Sequence, residues 1–105
     1  MSNLPTPVTF ERTGRDLTAC LVGDLDHATA PGLTADILSQ IRADDDVVRL
    51  DLAAVTFCDS SGIGLFVRVH QHVDRRGATL ILDSPSPILR ATFAVCGLDD
   101  RLQLA

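Results

Sequence analysis

The residues best suited to chemistry lie in two short polar segments, Asp59-Ser60-Ser61-Gly62 and Gly23-Asp24-Leu25-Asp26. The first segment precedes a helical pattern, where a short side-chain oxygen can cap N–H groups that lack intrahelical acceptors. Capping needs only one such oxygen, yet two serines stand together beside an acid, and Gly62 is expected to leave the backbone accessible. The segment therefore has two interpretations, a helix cap and a serine presented at the surface to a kinase.

A phosphate on the first segment would add about −1.5 to −2 charges. The dipole at a helix N-terminus tolerates an anion, so the modified protein is expected to stay folded. Like charges are supplied by Asp59, Asp24 and Asp26. Two like unit charges ~4 Å apart repel each other by about 1 kcal/mol in water and about 4 kcal/mol at an effective dielectric of 20. Because an acidic surface offers the phosphate no cation, modification is expected to expel a partner rather than order a loop.

Metal binding is the next chemistry to consider, since Asp24, Asp26 and His27 are ligand types close together in the sequence. Adjacent residues of an extended segment point to opposite faces, and no second His or Cys is spaced to complete a site. His70 and His72, two residues apart on a predicted helix, diverge by about 200° and cannot share a metal. A polar loop and solvated helix residues are therefore favoured, and we expect no metal and no cofactor.

Several function classes are disfavoured by composition and motif. A serine hydrolase needs the elbow G-x-S-x-G, and the serine pair lacks the leading glycine, so we expect no enzyme. A net charge of −5 and a pI near 4.8 argue against nucleic-acid and membrane partners. Three widely spaced cysteines fit neither a disulfide framework nor a metal or redox pair, and no signal-like or membrane-spanning run is present. We therefore expect a cytoplasmic protein.

The elements around the two segments predict an α/β fold in a single domain, residues 1–105. Alternation between strand and helix patterns favours a mixed, largely parallel sheet with right-handed crossovers. Loops at the carboxyl ends of such strands gather on one rim, so the two polar segments are expected to lie near each other. The nearly continuous apolar run over residues 47–55 predicts a central strand buried on both faces. Before this strand, the sequence predicts a hairpin of residues 8–12 and 17–22 that turns at Gly14, and a helix that begins at Pro31 and ends near residues 44–46. After it come a helix from Ile63 that is ended by Arg75-Arg76-Gly77 and a strand over residues 78–82. The last predicted elements are a helix that starts at residues 84–87, with Leu89, Phe93 and Cys96 inward and Gly97-Leu98 as its C-cap, and an edge strand over residues 102–104.

In these same residues the chain resembles the STAS family, and within it the soluble anti-sigma factor antagonists. GDLDHATA, residues 23–30, resembles the family's G-[ED]-[LI]-D segment, and VRLDLAAVTFCDSSGIG, residues 48–64, resembles its central strand and D-S-S-G-[LI]-G motif. Residues 75–77 and 96–98 stand where the family has a helix-ending glycine and a terminal [ST]-G-L. The resemblance implies a mixed β-sheet with an N-terminal hairpin and helices packed mainly on one face.

The resemblance also implies a mechanism. The second serine of the motif, Ser61, would be the phosphoacceptor, with Ser60 as the alternative. The unphosphorylated protein would bind an anti-sigma factor that is also a GHKL-type serine kinase, and the anti-sigma factor would then release its sigma factor. Phosphorylation would end the interaction. A separate serine phosphatase would remove the phosphate and restore binding. The partner-binding surface would comprise Asp24, Asp26, His27, Asp59, Ser60, Ser61 and Gly62.

Two alternatives stand beside this mechanism. The chain could be a non-switching STAS subunit of a signalling scaffold or transport complex, in which Ser61 only caps a helix. Cys58 stands where relatives commonly have a bulkier apolar residue such as methionine, so it could be a redox handle, although small buried thiols are usually inert packing.

Overall fold

A computed structural model of the chain describes residues 8–95 and 97 and the backbone of residues 103–104. In these ranges one sheet has the strand order β1-β2-β3-β4-β5, with β1 antiparallel to β2 and the other neighbours parallel. The predicted mixed α/β sheet is therefore confirmed. The elements are β1 (Val8–Thr13), β2 (Asp16–Leu25), α1 (Ala30–Gln40), β3 (Val47–Cys58), α2 (Ser60–Arg75), β4 (Thr79–Asp83), α3 (Pro87–Val95) and β5 (Gln103–Leu104).

The helices cover one face of the sheet, as predicted. Buried side chains from all three helices join those of the strands in a single apolar cluster, in which Phe66 of α2 meets Phe93 of α3 edge to face with ring centroids 5.4 Å apart. The prediction that β3 is buried on both faces is wrong. Leu50 and its neighbours at alternate positions are buried, whereas Arg49 and Asp51 are half-buried on the uncovered face. Parallel pairing on both sides of β3 does not require helices on both faces.

Two strands run further than their apolar runs predicted. β2 continues to Leu25 and β3 to Cys58, because the two strands pair with each other over these last residues. Asp24, predicted to lie in a loop, therefore belongs to the end of a strand. α1 is shorter than predicted and ends at Gln40, since Ile41 already has an extended backbone with a ψ of 128°.

The ends of the later helices follow their local sequence signals. α2 ends at Arg75, and Gly77 takes a positive φ of 73°, which glycine adopts without strain. α3 begins at Pro87, and the hydroxyl of Ser86 accepts a hydrogen bond from the amide of Leu89 at 3.1 Å. The predicted inward Cys96 and the contact of Leu98 lie outside the described residues. None of the described helices is long and apolar enough to cross a membrane.

A buried carboxylate fastens β1 to the connection between α1 and β3. Asp45 is 5% exposed and accepts hydrogen bonds from the Arg12 guanidinium and, at 2.7 Å, from the amide of Arg42. Arg12 also donates to the carbonyl of Gln40 at 2.8 Å. Burial alone would raise the pKa of Asp45, but the hydrogen bonds from Arg42 and Arg12 outweigh it and leave that pKa below its ordinary value.

Replacing this carboxylate tests how much it stabilises the fold. Asp45→Asn is expected to lower the free energy of unfolding by about 2 kcal/mol near neutral pH, because charge-assisted hydrogen bonds are lost. Since the folded-state pKa is depressed, the contribution is complete above the unfolded-state pKa of about 3.9 and disappears as pH falls through the folded-state value. Urea titrations from neutral pH to about pH 2 should therefore show the variant and the wild type converging in acid.

The exposed neighbour Asp44 provides the matched control. Asp44→Asn removes the same charge from the same loop and is expected to change the free energy of unfolding by less than about 0.5 kcal/mol. Equal losses in the two variants would contradict a specific role for Asp45.

Candidate functional site

The two polar segments meet at the carboxyl ends of β2 and β3. The register places Leu25 beside Cys58, the last residues of their strands, and the amide of Asp59 donates to the carbonyl of Leu25 at 3.1 Å. α2 begins at Ser60, directly after this contact. The structure thus brings together the segments that sequence reasoning placed near each other, and it joins them through the backbone.

The residue that caps α2 is Asp59. Its carboxylate accepts a hydrogen bond from the amide of Ser61 at 2.8 Å, and its carbonyl accepts one from the amide of Ile63 at 3.1 Å. The interpretation of the segment as a helix cap is therefore confirmed, but the cap is Asp59 and not Ser61, because Ser60 and Ser61 are already the first two residues of the helix. Within the described part of the chain, neither serine hydroxyl makes a hydrogen bond.

The two serines differ in exposure. Ser60 is exposed, whereas Ser61 is half-buried against the end of the sheet. α2 spans 16 residues and has no acidic residue in its first turn. The partial positive charge at its N-terminus is therefore met by the carboxylate of Asp59, and an anion placed at either serine would share it with that carboxylate.

Gly62 is buried, and the reason predicted for it is wrong. A Cβ atom at this position would lie 2.5 Å from Sγ of Cys58, 2.8 Å from Cβ of Leu25 and 2.9 Å from the carbonyl oxygen of Leu25. Glycine is required here because the helix approaches the strand ends too closely for a side chain, and not to leave the backbone accessible. A single sequence carries no direct signal of such a contact, since the neighbour lies far away along the chain.

Cys58 contributes to this close packing. Its half-buried thiol faces Gly62 and donates a hydrogen bond to the carbonyl of Asp59 at 3.5 Å. The small thiol thus lies at the contact between the strand end and the helix and also borders a cavity. The suggested redox role stays a prediction.

Asp26 closes the turn that leads into α1. Its carboxylate accepts hydrogen bonds from the amides of Ala28 and Thr29 at 3.0 and 3.1 Å. The hydrogen bond from the Thr29 amide is the main cause that holds the pKa of Asp26 below its ordinary value. This carboxylate therefore stays charged while it organises the loop beside the serines.

The other candidate residues take separate places. The carboxylate of Asp24 accepts a hydrogen bond from the hydroxyl of Thr56 at 2.8 Å, which ties the outer ends of β2 and β3 together, and His27 is exposed. His70 and His72 lie further along α2 and are half-buried. Among the residues that the structure describes, no group of three or more His, Cys, Asp or Glu side chains is arranged to hold a metal ion.

Comparisons with known proteins show which family this chain belongs to. The family model for the STAS domain matches residues 8–105. The chain is 29% identical to the anti-sigma-B factor antagonist of Listeria monocytogenes over 90% of this chain and 82% of that protein. It is 32% identical to the anti-sigma F factor antagonist of Lysinibacillus sphaericus over 74% of this chain and 68% of that protein. The solved structure of the Bacillus cell fate determinant SpoIIAA in its phosphorylated form superposes with a TM-score of 0.71 at 26% identity, covering 93% of this chain and 90% of that one.

The tight contact at the start of α2 is tested by adding one methyl group. Gly62→Ala is expected to lower the free energy of unfolding by about 1–3 kcal/mol, because backbone and thiol must move apart to admit the Cβ atom. Thermal or urea unfolding followed by circular dichroism measures the change.

The same helix offers a matched control. A Cβ atom at Gly64 would meet nothing within 4 Å, so Gly64→Ala is expected to raise the free energy of unfolding by about 0.5–1 kcal/mol through helix propensity alone. A Gly62→Ala protein as stable as the Gly64→Ala protein would rule out the close approach.

Proposed function

Because the chain belongs to the STAS domain family and its relatives are anti-sigma factor antagonists, we propose that it is itself an anti-sigma factor antagonist regulated by phosphorylation. Unphosphorylated, it binds an anti-sigma factor that is also a GHKL-type serine kinase, and the bound sigma factor is released. Phosphorylation at Ser61 ends this interaction, and a serine phosphatase restores it. The observation that carries the proposal is a pair of serines at a helix N-terminus whose cap is already supplied by Asp59.

Ser61 is the proposed phosphoacceptor, and Ser60 is the substitute to be tested. The Ser61 hydroxyl has no structural task within the described residues, since Asp59 caps the helix through the Ser61 amide instead. A phosphate at the second residue of a long helix faces the positive end of the helix dipole, so the fold tolerates it. The solved phosphorylated form of SpoIIAA, similar in fold, is consistent with a STAS domain that stays folded when modified.

The phosphate acts on the partner through charge. It is attached beside the carboxylate of Asp59, which already binds the amide of the same residue. At ~4 Å each unit like-charge pair costs about 1 kcal/mol in water and about 4 kcal/mol at an effective dielectric of 20. Complex formation removes water from this surface and moves the cost toward the larger figure, so a partner fitted to the neutral serine is expelled.

The surface that meets the kinase is proposed to combine the end of β2, the turn after it and the start of α2. It comprises Asp24, Asp26, His27, Asp59, Ser60, Ser61 and Gly62, with Gly62 acting through the close packing behind it rather than by contact. The proposal also covers the chain as a whole, which functions as one regulatory STAS domain in the cytoplasm. It is not an enzyme and holds no cofactor, because the kinase supplies the nucleotide. It binds neither nucleic acid nor membrane. The alternative of a non-switching subunit assigned Ser61 the capping task, which Asp59 performs in the structure.

Phosphate transfer is tested with single serine variants. The purified protein is incubated with its anti-sigma factor kinase, ATP and Mg²⁺, and the modified residue is located by mass spectrometry. We expect one phosphate on the wild type and on Ser60→Ala, and none on Ser61→Ala. Phosphate on Ser60 alone, or on neither serine, would contradict the assignment.

The switch is tested by binding. Ser61→Ala is expected to bind the kinase within about twofold of the wild type, whereas Ser61→Glu is expected to bind at least about tenfold more weakly, which corresponds to about 1.4 kcal/mol. Isothermal titration calorimetry measures both, and Ser39→Glu, at an exposed serine of α1 outside the proposed surface, is the matched charge control and is expected to bind as the wild type does. Unchanged affinity of Ser61→Glu would exclude a charge-operated switch.

A further inference from the structure

The edge of β3 that faces β4 is paired over only part of its length. β4 runs beside β3 as far as the Asp51 and Asp83 pair, while β2 accompanies the opposite edge of β3 to Cys58. The amide of Ala53, just beyond that pair, donates to the carboxylate of Asp51 at 3.0 Å. From Ala54 to Phe57, no strand of the described chain lies beside this edge, so within that part of the chain its alternate N–H and C=O groups have no strand partner.

A groove opens along this edge. After β4 the chain turns at Ser84, which has a positive φ of 56°, and enters α3, so the helix flanks the place that a longer β4 would occupy. The resulting cavity of about 270 Å³ lies between Val55 and Phe57 of the strand and Ile88 and Leu89 of the helix. We call it the β3–α3 groove.

The groove leaves apolar side chains in water. Phe57 is 54% exposed and Ile88 is 81% exposed, although both are large hydrophobic residues at the rim of one cavity. None of the described residues that line the cavity is charged. A strand edge next to a helix, with apolar pockets between them, is the arrangement in which domains bind an extended peptide as an added strand.

We propose that the β3–α3 groove binds an extended segment of the partner anti-sigma factor, which pairs with the open edge of β3 as an added strand. The proposal rests on the proposed function, since it assigns a second contact to the same partner. The groove reaches Cys58, three positions before Ser61 in the chain, so a partner that covers the serine is within reach of it.

The charges around the groove specify the chemistry of the segment. Its centre must be apolar to face Phe57, Ile88 and Leu89, because charged side chains there would be buried without partners. At the end away from Ser61, the carboxylates of Asp51 and Asp83 lie on paired residues, and Arg49 approaches Asp83 at 3.9 Å. Because Arg49 offsets only part of the charge of these two carboxylates, a lysine or arginine is favoured at that end of the bound segment.

Two exposed residues of α3 provide a matched pair of variants. Ile88 lines the groove, whereas Val95, which is 88% exposed, lies two turns further along the helix and does not line it. In calorimetric titrations with the anti-sigma factor kinase, Ile88→Glu is expected to weaken binding at least about tenfold, which corresponds to about 1.4 kcal/mol. Val95→Glu is expected to bind as the wild type does. Equal effects of the two variants, including no effect of either, would overturn the proposal.

Backbone pairing is tested separately by hydrogen–deuterium exchange of the full chain with and without the kinase. The amides of Ala54–Phe57 that point to the open edge are expected to exchange at least about tenfold more slowly in the complex, because they become hydrogen-bonded to the added strand. A complex that forms without this protection would overturn strand addition while leaving the proposed function intact. Failure of the unmodified wild type to form any complex would overturn the proposed function and, with it, the added strand.

Discussion

The arrangement of the site depends on how closely the first turn of α2 approaches the ends of β2 and β3. A buried glycine, Gly62, lies where any side chain would overlap Leu25 and Cys58, and the amide of Asp59 bonds to the carbonyl of Leu25. These contacts determine the direction in which the helix leaves the sheet. The half-buried position of Ser61 and the meeting of the two polar segments are consequences of that direction.

Within this junction, neighbouring residues have separate tasks. Asp59 satisfies the helix terminus, Gly62 permits the approach and Cys58 fills the remaining space, so the stability of the junction requires neither serine hydroxyl. A residue without a structural task can change its charge without unfolding its surroundings. The same division places a side chain that the junction does not need beside rigid backbone geometry.

Much of the fold could be predicted from the sequence, because its signals are local. Periodicity indicated the helices, Gly77 and Pro87 marked helix ends, and alternation with strands predicted a mixed sheet. The reach of β2 and β3 could not be predicted, since their last residues are held by pairing with each other rather than by apolar character. Burial of β3 on both faces was a wrong prediction for a different reason: Arg49 and Asp51 alternate with buried apolar residues, and this period of two indicated a strand with one face uncovered. At the site, the proximity of the two segments followed from topology, but the capping role of Asp59 and the packing role of Gly62 required coordinates.

The placement of all helices on one face divides the residues of each strand into two populations. Val48 and Leu50 are enclosed by the core, whereas Val47, Arg49 and Asp51, at alternating positions, lie on the side without helices. Substitutions on that outer side therefore leave the core side chains and the contact between Gly62 and the strand ends in place. The charge and shape of the open face can thus change while the end of the sheet that carries the serines keeps its geometry.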